Sequence, residues 1–442
     1  MSFSGFIKRN IFWVKDFFAG RKVAKHFHHI KRGMNDYEKG KERQLKDLSR
    51  LLDYATSYSN FYKNIKIEKG KECCLSDFPI VNKNILNNNH DQVAVEYQYI
   101  PEQETEKIHI QKTSGSTGAP FCVYQDSRKR YRRIAELKYF GQDVGYKSHE
   151  KLAQCRVWTN WQNKSKKQSF RENIFPVNIT NMNDEAISAL CKLIKKKKIV
   201  SLRAYASWYD KIVEYFENGK GDRQDLKTVR VAIATSEALN ETTREKMLRL
   251  TGIPIVECYA DEEGGLLAQQ KLGEKEYYLN HTSYVFEFLK LNSDEPAEYG
   301  ELARVVFTDL YNYAFPLIRY DTGDIAIVVK GDEKSKGWDY ISHLYGRKLD
   351  LIYNTLGAPI HPMSFARVLK NISGIKQWQF IQKDEKKYLI KLNICSDTRL
   401  EDILSEIKII VGQDADIEVE LVKEIPVLSS GKRKSVICEW KK

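Results

Sequence analysis

The 442-residue chain has no C-x-x-C pair and no short-range cluster of cysteine with histidine. Its eight cysteines stand at 73, 74, 122, 155, 191, 258, 395 and 438, a scatter that offers neither a zinc framework nor a disulfide framework. No stretch reaches the roughly 18 uncharged residues of a membrane span, and the N-terminus lacks the short apolar core and small-residue cleavage site of a signal peptide. A reducing, cytoplasmic setting is expected. No internal repeat or low-complexity linker interrupts the pattern. There is also no module for reading nucleic acid, so the net charge of +13 does not by itself argue for such a partner.

With 42% hydrophobic and 30% charged residues, the composition is that of a folded globular protein, and the length calls for at least two domains. Over half of the surplus charge sits at the front: Lys8, Arg9, Lys15, Arg21, Lys22, Lys25, Lys31 and Arg32 face one acid, Asp16. Phe3, Phe6, Ile7, Ile11, Val14, Phe17 and Phe18 recur at helical spacing with Lys8, Arg9, Lys15 and Asp16 on the other face, which predicts a basic amphipathic helix within an extension over 1–34. Two readings stand. The helix packs its apolar face on the core and leaves the basic face solvated, or it makes peripheral contact with an anionic membrane at its inner face.

The spacing predicts a long helix over 36–64 and another over 127–141. Between them KIHIQ (107–111) and PFCVY (120–124) alternate like strands and imply a hairpin. From 183 to 259 helices and strands alternate (strands IVSLRAY, VRVAIAT and IPIVECY), the pattern of a parallel or mixed sheet covered by helices. Strands dominate from 277 to 329. The last ninety or so residues read as a smaller α+β unit, with strands near 376–382, 387–394 and 416–422 and a helix near 399–411. The expected class is therefore α/β: a large N-terminal domain of mixed sheets flanked by helices over 1–346, then a small mobile α+β domain over 347–442.

The richest local signal is Thr113-Ser114-Gly115-Ser116-Thr117-Gly118-Ala119-Pro120. Two glycines open backbone conformations closed to other residues, so that successive N–H groups and several hydroxyls can converge on an anion. It is not a Walker A loop, because G-K-[ST] is absent and a strand, not a helix, follows. A second group of segments accompanies it: Thr235-Ser236-Glu237, Tyr259-Ala260-Asp261-Glu262-Glu263, Arg319-Tyr320-Asp321-Thr322-Gly323-Asp324, Gly346-Arg347-Lys348-Leu349-Asp350 and Pro426…Gly431-Lys432.

In this order and at these separations the segments resemble the adenylate-forming superfamily, and ELARVVFTDLYNYAFPLIRYDTGD is most similar to its phenylacetate-CoA ligase and capsular-polysaccharide CapK-like branch. The resemblance covers about residue 36 to the C-terminus. It implies ATP and Mg²⁺ as cofactors, with the 113–118 loop on the β- and γ-phosphates, Ser236 and Glu237 along the adenine and ribose, Tyr259 stacked on adenine and Glu263 on the Mg²⁺. Asp324 would accept both ribose hydroxyls, as one carboxylate can. Arg347 would face the ribose and phosphates, Asp350 would be the hinge, and Lys432 the catalyst. The sequence departs from the family where glycines are missing before Glu237 and where Glu262 replaces a hydroxyl.

What the resemblance implies chemically is activation of a carboxylic acid to acyl-AMP with release of pyrophosphate. Transfer of the acyl group to coenzyme A, or to a sugar or glycan precursor in cell-surface polysaccharide synthesis, would follow. A noncatalytic nucleotide-binding or scaffold protein of the same fold is the alternative. Trp158, Trp161, Trp208 and Tyr205 are either an aryl pocket or core.

Overall fold

The computed structural model describes the chain except residues 1–2, 66–72, 103–107, 113–120, 159–163, 181–182, 348–351, 361, 370–371, 373, 397, 427–434 and 441–442. Three helices lead the chain: α1 (Phe3–Phe18), α2 (Lys22–Asn35) and α3 (Tyr37–Tyr58). A short hairpin of β1 (His109–Lys112) and β2 (Cys122–Gln125) follows, paired antiparallel with Lys112 opposite Cys122. The expected hairpin is thus present, and its connection is the Ser/Gly-rich 113–120 segment.

Eleven strands then form one sheet: β3 (Leu152–Arg156), β4 (Ile174–Asn178), β5 (Ser201–Tyr205), β6 (Val231–Thr235), β7 (Ile255–Ala260), β8 (Leu266–Gln270), β9 (Tyr277–Leu279), β10 (Tyr284–Lys290), β11 (Leu302–Asp309), β12 (Tyr320–Val329) and β13 (Tyr340–Arg347). Their order is β10-β11-β12-β13-β9-β8-β7-β6-β5-β3-β4. Pairing among β3 to β7 is parallel, and from β7 to β8 onward it is antiparallel. The parallel half is the expected βα alternation. Helices Asp184–Lys197, Ala206–Glu217 and Glu241–Thr251 cover one face of it through a core that includes Ile194, Trp208, Ile212 and Met247. Trp208 and Tyr205 belong to that core, which answers their open reading in favour of packing. Trp158 is half-buried and donates its indole N–H to the Val177 carbonyl at 3.1 Å. Trp161 lies outside the described residues.

The N-terminal extension differs from expectation in two ways. It is two helices, not one, broken where Gly20 and Arg21 take φ of 87° and 60°. Its first helix is also turned around. Lys8, Arg9, Phe12 and Trp13 face the body, while Phe6, Ile7, Ile11, Val14, Phe17 and Phe18 are exposed. The cause is legible in the contacts. Asp16 is buried and accepts the N–H groups of Val23 and Ala24 at 2.8 and 2.9 Å, satisfying the open first turn of α2. Phe12 stacks near His149 and under Lys138, and Trp13 meets Phe27 edge-on.

The C-terminal part has a sheet of its own, ordered β18 (Asp416–Leu421), β17 (Lys387–Ile394), β16 (Ile375–Gln382) and β19 (Val436–Cys438). A small pair, β14 (Ile352–Tyr353) with β15 (Pro359–Ile360), precedes it. Helices Pro362–Leu369 and Leu400–Val411 close a separate core around Phe365, Phe380, Ile390, Ile403 and Ile407. Phe365 and Phe380 stack there with centroids 4.4 Å apart.

Candidate active site

Open α/β sheets bind ligands beyond the carboxyl ends of their parallel strands, and β6 and β7 are the two parallel strands next to the antiparallel half. The turns after β6 and β7 carry Ser236-Glu237 and Asp261-Glu262-Glu263. At Ser236 φ is 72°. The backbone keeps the left-handed turn that glycine adopts freely, and the serine bears a strain on the order of 1 kcal/mol. Glu237 accepts the backbone N–H of Ser207 at 2.9 Å, so its carboxylate caps the first turn of helix Ala206–Glu217, where negative charge is favoured. Two residues on, the Leu239 N–H donates to Glu257, whose other oxygen is held by Arg244 at 2.7 Å.

Tyr259, at the end of β7, is buried and donates its phenolic O–H to Asp324 Oδ2 at 2.8 Å. Asp324 receives further support from its own loop. Its N–H donates to Thr322 Oγ1 at 3.0 Å, and Gly323 turns with φ of 75° while its N–H donates to Asp321. In the β12–β13 ladder Asp324 lies opposite Arg347. Two of the proposed nucleotide residues are therefore cross-strand neighbours, and Arg347 ends a strand of the large sheet. Arg319, preceding this motif, is engaged elsewhere, forked onto Glu287 and donating to the Phe78 carbonyl.

Glu263 is buried and accepts from Tyr320 Oη at 3.3 Å. Burial pushes its carboxyl upward, against the pull of the Lys83 ammonium and the Tyr320 hydroxyl. Asp261 is pushed upward too, first by burial and then by the Glu263 carboxylate. Asp261 Oδ1 accepts the N–H groups of Gly264 and Gly265 at 2.7 and 3.0 Å, but its Oδ2 is buried without a hydrogen bond. Gly264 has no room for a side chain, since a Cβ would stand 2.8 Å from Phe307 and 3.1 Å from Asp261.

The Ser/Gly-rich 113–118 segment (Thr113, Ser114, Gly115, Ser116, Thr117, Gly118), Asp350 and Lys432 lie outside the described residues. The hairpin that carries the segment does not. Gln111 on β1 donates to Glu262, and Gln125 on β2 donates to the Glu263 carbonyl at 3.5 Å. The strands bracketing that segment are thus tied to the acidic turn after β7.

Several supporting residues carried no signal in a one-dimensional reading. Lys129 and Asp309 form a fully buried ion pair at 2.5 Å. Lys129 also donates to Tyr284 Oη at 3.2 Å, and that hydroxyl donates to the Gly264 carbonyl at 2.8 Å. Arg133 reaches the Glu262 carbonyl at 3.4 Å. Lys83 arrives because the Val81 N–H and C=O clamp Arg319 and Asp321.

The carboxylate oxygens of Glu263 and Asp261, one of them buried and unbonded, suit a hard divalent cation. Among the described residues no group of three or more His, Cys, Asp or Glu stands ready to enclose a metal. A cation here would complete its shell with phosphate oxygens and water.

Residues 352–439 match the family model described as the CapK C-terminal domain. The chain is 22% identical to Protein CapK of Staphylococcus aureus across 95% of this chain and 94% of that protein. Among solved structures, a 2-hydroxyisobutyryl-CoA ligase in the postadenylation state with R3-HIB-AMP is similar at TM-score 0.73 and 14% identity, covering 92% of this chain and 90% of its own. ATP-bound MatB from Rhodopseudomonas palustris is similar at 0.56 and 13% identity, over 74% of this chain and 66% of that one. The fold is that of an adenylate-forming ligase. The resemblance to the CapK-like branch drawn from the sequence motifs is matched by the C-terminal family model and by the likeness to Protein CapK.

Proposed function

We propose that this chain is an AMP-forming carboxylate ligase that activates a carboxylic acid with ATP and hands the acyl group to an acceptor. The observation that carries this reading is the hydrogen-bonded convergence of the β1–β2 hairpin, the turn after β7 and the Asp324 loop on one end of the sheet. These are the segments that must meet around one triphosphate.

In this reading Asp324 receives the ribose hydroxyls, with Tyr259 holding the carboxylate and presenting its ring to the adenine alongside Ser236 and Glu237. The 113–118 loop cradles the β- and γ-phosphates, and Arg347, opposite Asp324, faces the ribose and α-phosphate. Glu263, with Asp261 beside it, would hold Mg²⁺, which when bound neutralises phosphate charge. A carboxylate oxygen attacks the α-phosphorus of ATP, forming the acyl–O–P bond as the bond to the β-phosphate bridging oxygen breaks and pyrophosphate leaves. Lys432 offsets the repulsion of the two anions as charge builds.

We place the division between a large part, 1–346, and a small part, 347–442, with Asp350 as the hinge that brings Lys432 in for adenylation and withdraws it for transfer. The acceptor is coenzyme A, or a sugar or glycan precursor in polysaccharide synthesis as the likeness to CapK favours.

Carboxylate-dependent ATP–pyrophosphate exchange over a panel of aryl, fatty and amino acids tests the reading. Exchange with one class of acid is expected, and binding of ATP with no exchange for any acid would leave a noncatalytic nucleotide-binding protein instead.

A further inference from the structure

The exposed stripe on α1 is an apolar feature that the nucleotide site does not use. Phe6, Ile7, Ile11, Val14, Phe17 and Phe18 line one side of the helix, with Phe17 and Phe18 61% and 82% exposed. A helix that merely caps a core turns this face inward. Here the opposite side turns inward: Phe12 and Trp13 pack on the body, Lys8 donates to the Phe170 carbonyl and to Asn173 Oδ1 at 3.2 Å, and Asp16 is consumed in bonding α2.

Charge decides what the stripe would meet. Between residues 3 and 34 the one acid is the buried Asp16, whereas Lys15, Arg21, Lys25, Lys31 and Arg32 are exposed. A second copy of this chain seated on the stripe would bring two such cationic sets together. A lipid surface carrying anionic headgroups accepts the cations and buries the apolar side chains at once.

We infer that α1 is an interfacial anchor that lays the Phe6 to Phe18 stripe into an anionic membrane surface. Among the described residues no helix is long and apolar enough to cross a membrane, so the contact is peripheral. The inference stands apart from the nucleotide chemistry, since none of these residues belongs to that site.

Flotation of the full-length chain with vesicles of phosphatidylcholine, alone or mixed with phosphatidylglycerol, tests it. The chain should float with the mixed vesicles and not with the neutral ones. Phe17→Ser/Phe18→Ser should reduce recovery by roughly tenfold, and Lys15→Glu/Arg21→Glu should reduce it as well. Circular dichroism and melting of both variants should match the parent, because every altered side chain is exposed. Failure of the parent to float with anionic vesicles would overturn the inference, as would equal recovery of the Phe17→Ser/Phe18→Ser variant. A dimer in light scattering that this variant dissolves, without vesicle binding by the parent, would assign the stripe to a second copy and overturn it too.

Discussion

Tyr259 and Asp324 share a hydrogen bond of 2.8 Å between the last parallel strand and the central antiparallel strand of the sheet. The bond fixes the carboxylate in place before any ligand arrives. Burial, and then the Asp324 charge, hold the Tyr259 hydroxyl far above its usual range, so the phenol stays a donor to that carboxylate.

Asp324→Ala should therefore weaken binding of ATP and AMP by roughly 10- to 100-fold, the loss expected for hydrogen bonds to a charged acceptor. Tyr259→Phe should weaken it less, by roughly three- to tenfold. Titration calorimetry reads both. An Asp324→Ala protein that melts early yet binds AMP as the parent does would assign the residue to packing alone.

Glu263→Gln separates stability from activity. Replacing a buried carboxylate whose charge is disfavoured by burial, and which presses on Asp261, should raise the unfolding free energy. Pyrophosphate exchange should fall by roughly 100-fold, and its Mg²⁺ dependence should move to higher concentration. Parallel loss of both properties would indicate that Glu263 only supports the turn.

Lys129→Met should cost about 3–5 kcal/mol in urea denaturation, because it strands Asp309 in a site from which water is excluded. Both partners are fully buried. Lys129→Met with Asp309→Leu should recover much of that loss, which a double-mutant cycle measures.

Acid should destabilise the fold from about pH 6.5 downward. Burial lowers His281 to about 4, with its ring stacked on Trp338 and Nε2 against the Asp339 carbonyl at 2.7 Å. His149 is likewise lowered to about 4 by burial and by Lys138. Between pH 6.5 and 4 the unfolded chain binds protons that the folded chain refuses, so stability is full above that window and declines as pH falls through it. His281→Gln should flatten the decline of melting temperature across that window, and an unchanged slope would contradict the assignment.

In the parallel half of the large sheet β5, β6 and β7 were readable because each is a short apolar run in alternation with amphipathic helices, and the hairpin because period-two alternation flanked a glycine-rich turn. The C-terminal strands were readable for the same reason. Less legible were elements defined by distant partners. β3 and β4 are five residues each and pair with each other only across a helix. β13 carries charge and glycine into a ladder against β12. The orientation of α1 could not be read, since a helical stripe shows that two faces differ without showing which one meets the protein. At the site, Tyr259, Glu263 and Asp324 were found through motif likeness, and their convergence is spatial. Lys83, Lys129, Asp261 and Tyr284 act through contacts across long stretches of chain, for which local pattern holds no signal. Glu237 was expected along the nucleotide, and its carboxylate is bonded to the Ser207 amide.

The most direct test of acid activation through an acyl-adenylate follows an oxygen atom. With a carboxylate labelled with oxygen-18 that supports exchange, turnover in the presence of acceptor should deliver label from the carboxylate into AMP, because that oxygen attacks the α-phosphorus and stays on it when the acyl group departs. Label in inorganic phosphate, or AMP free of label while product forms, would contradict the account.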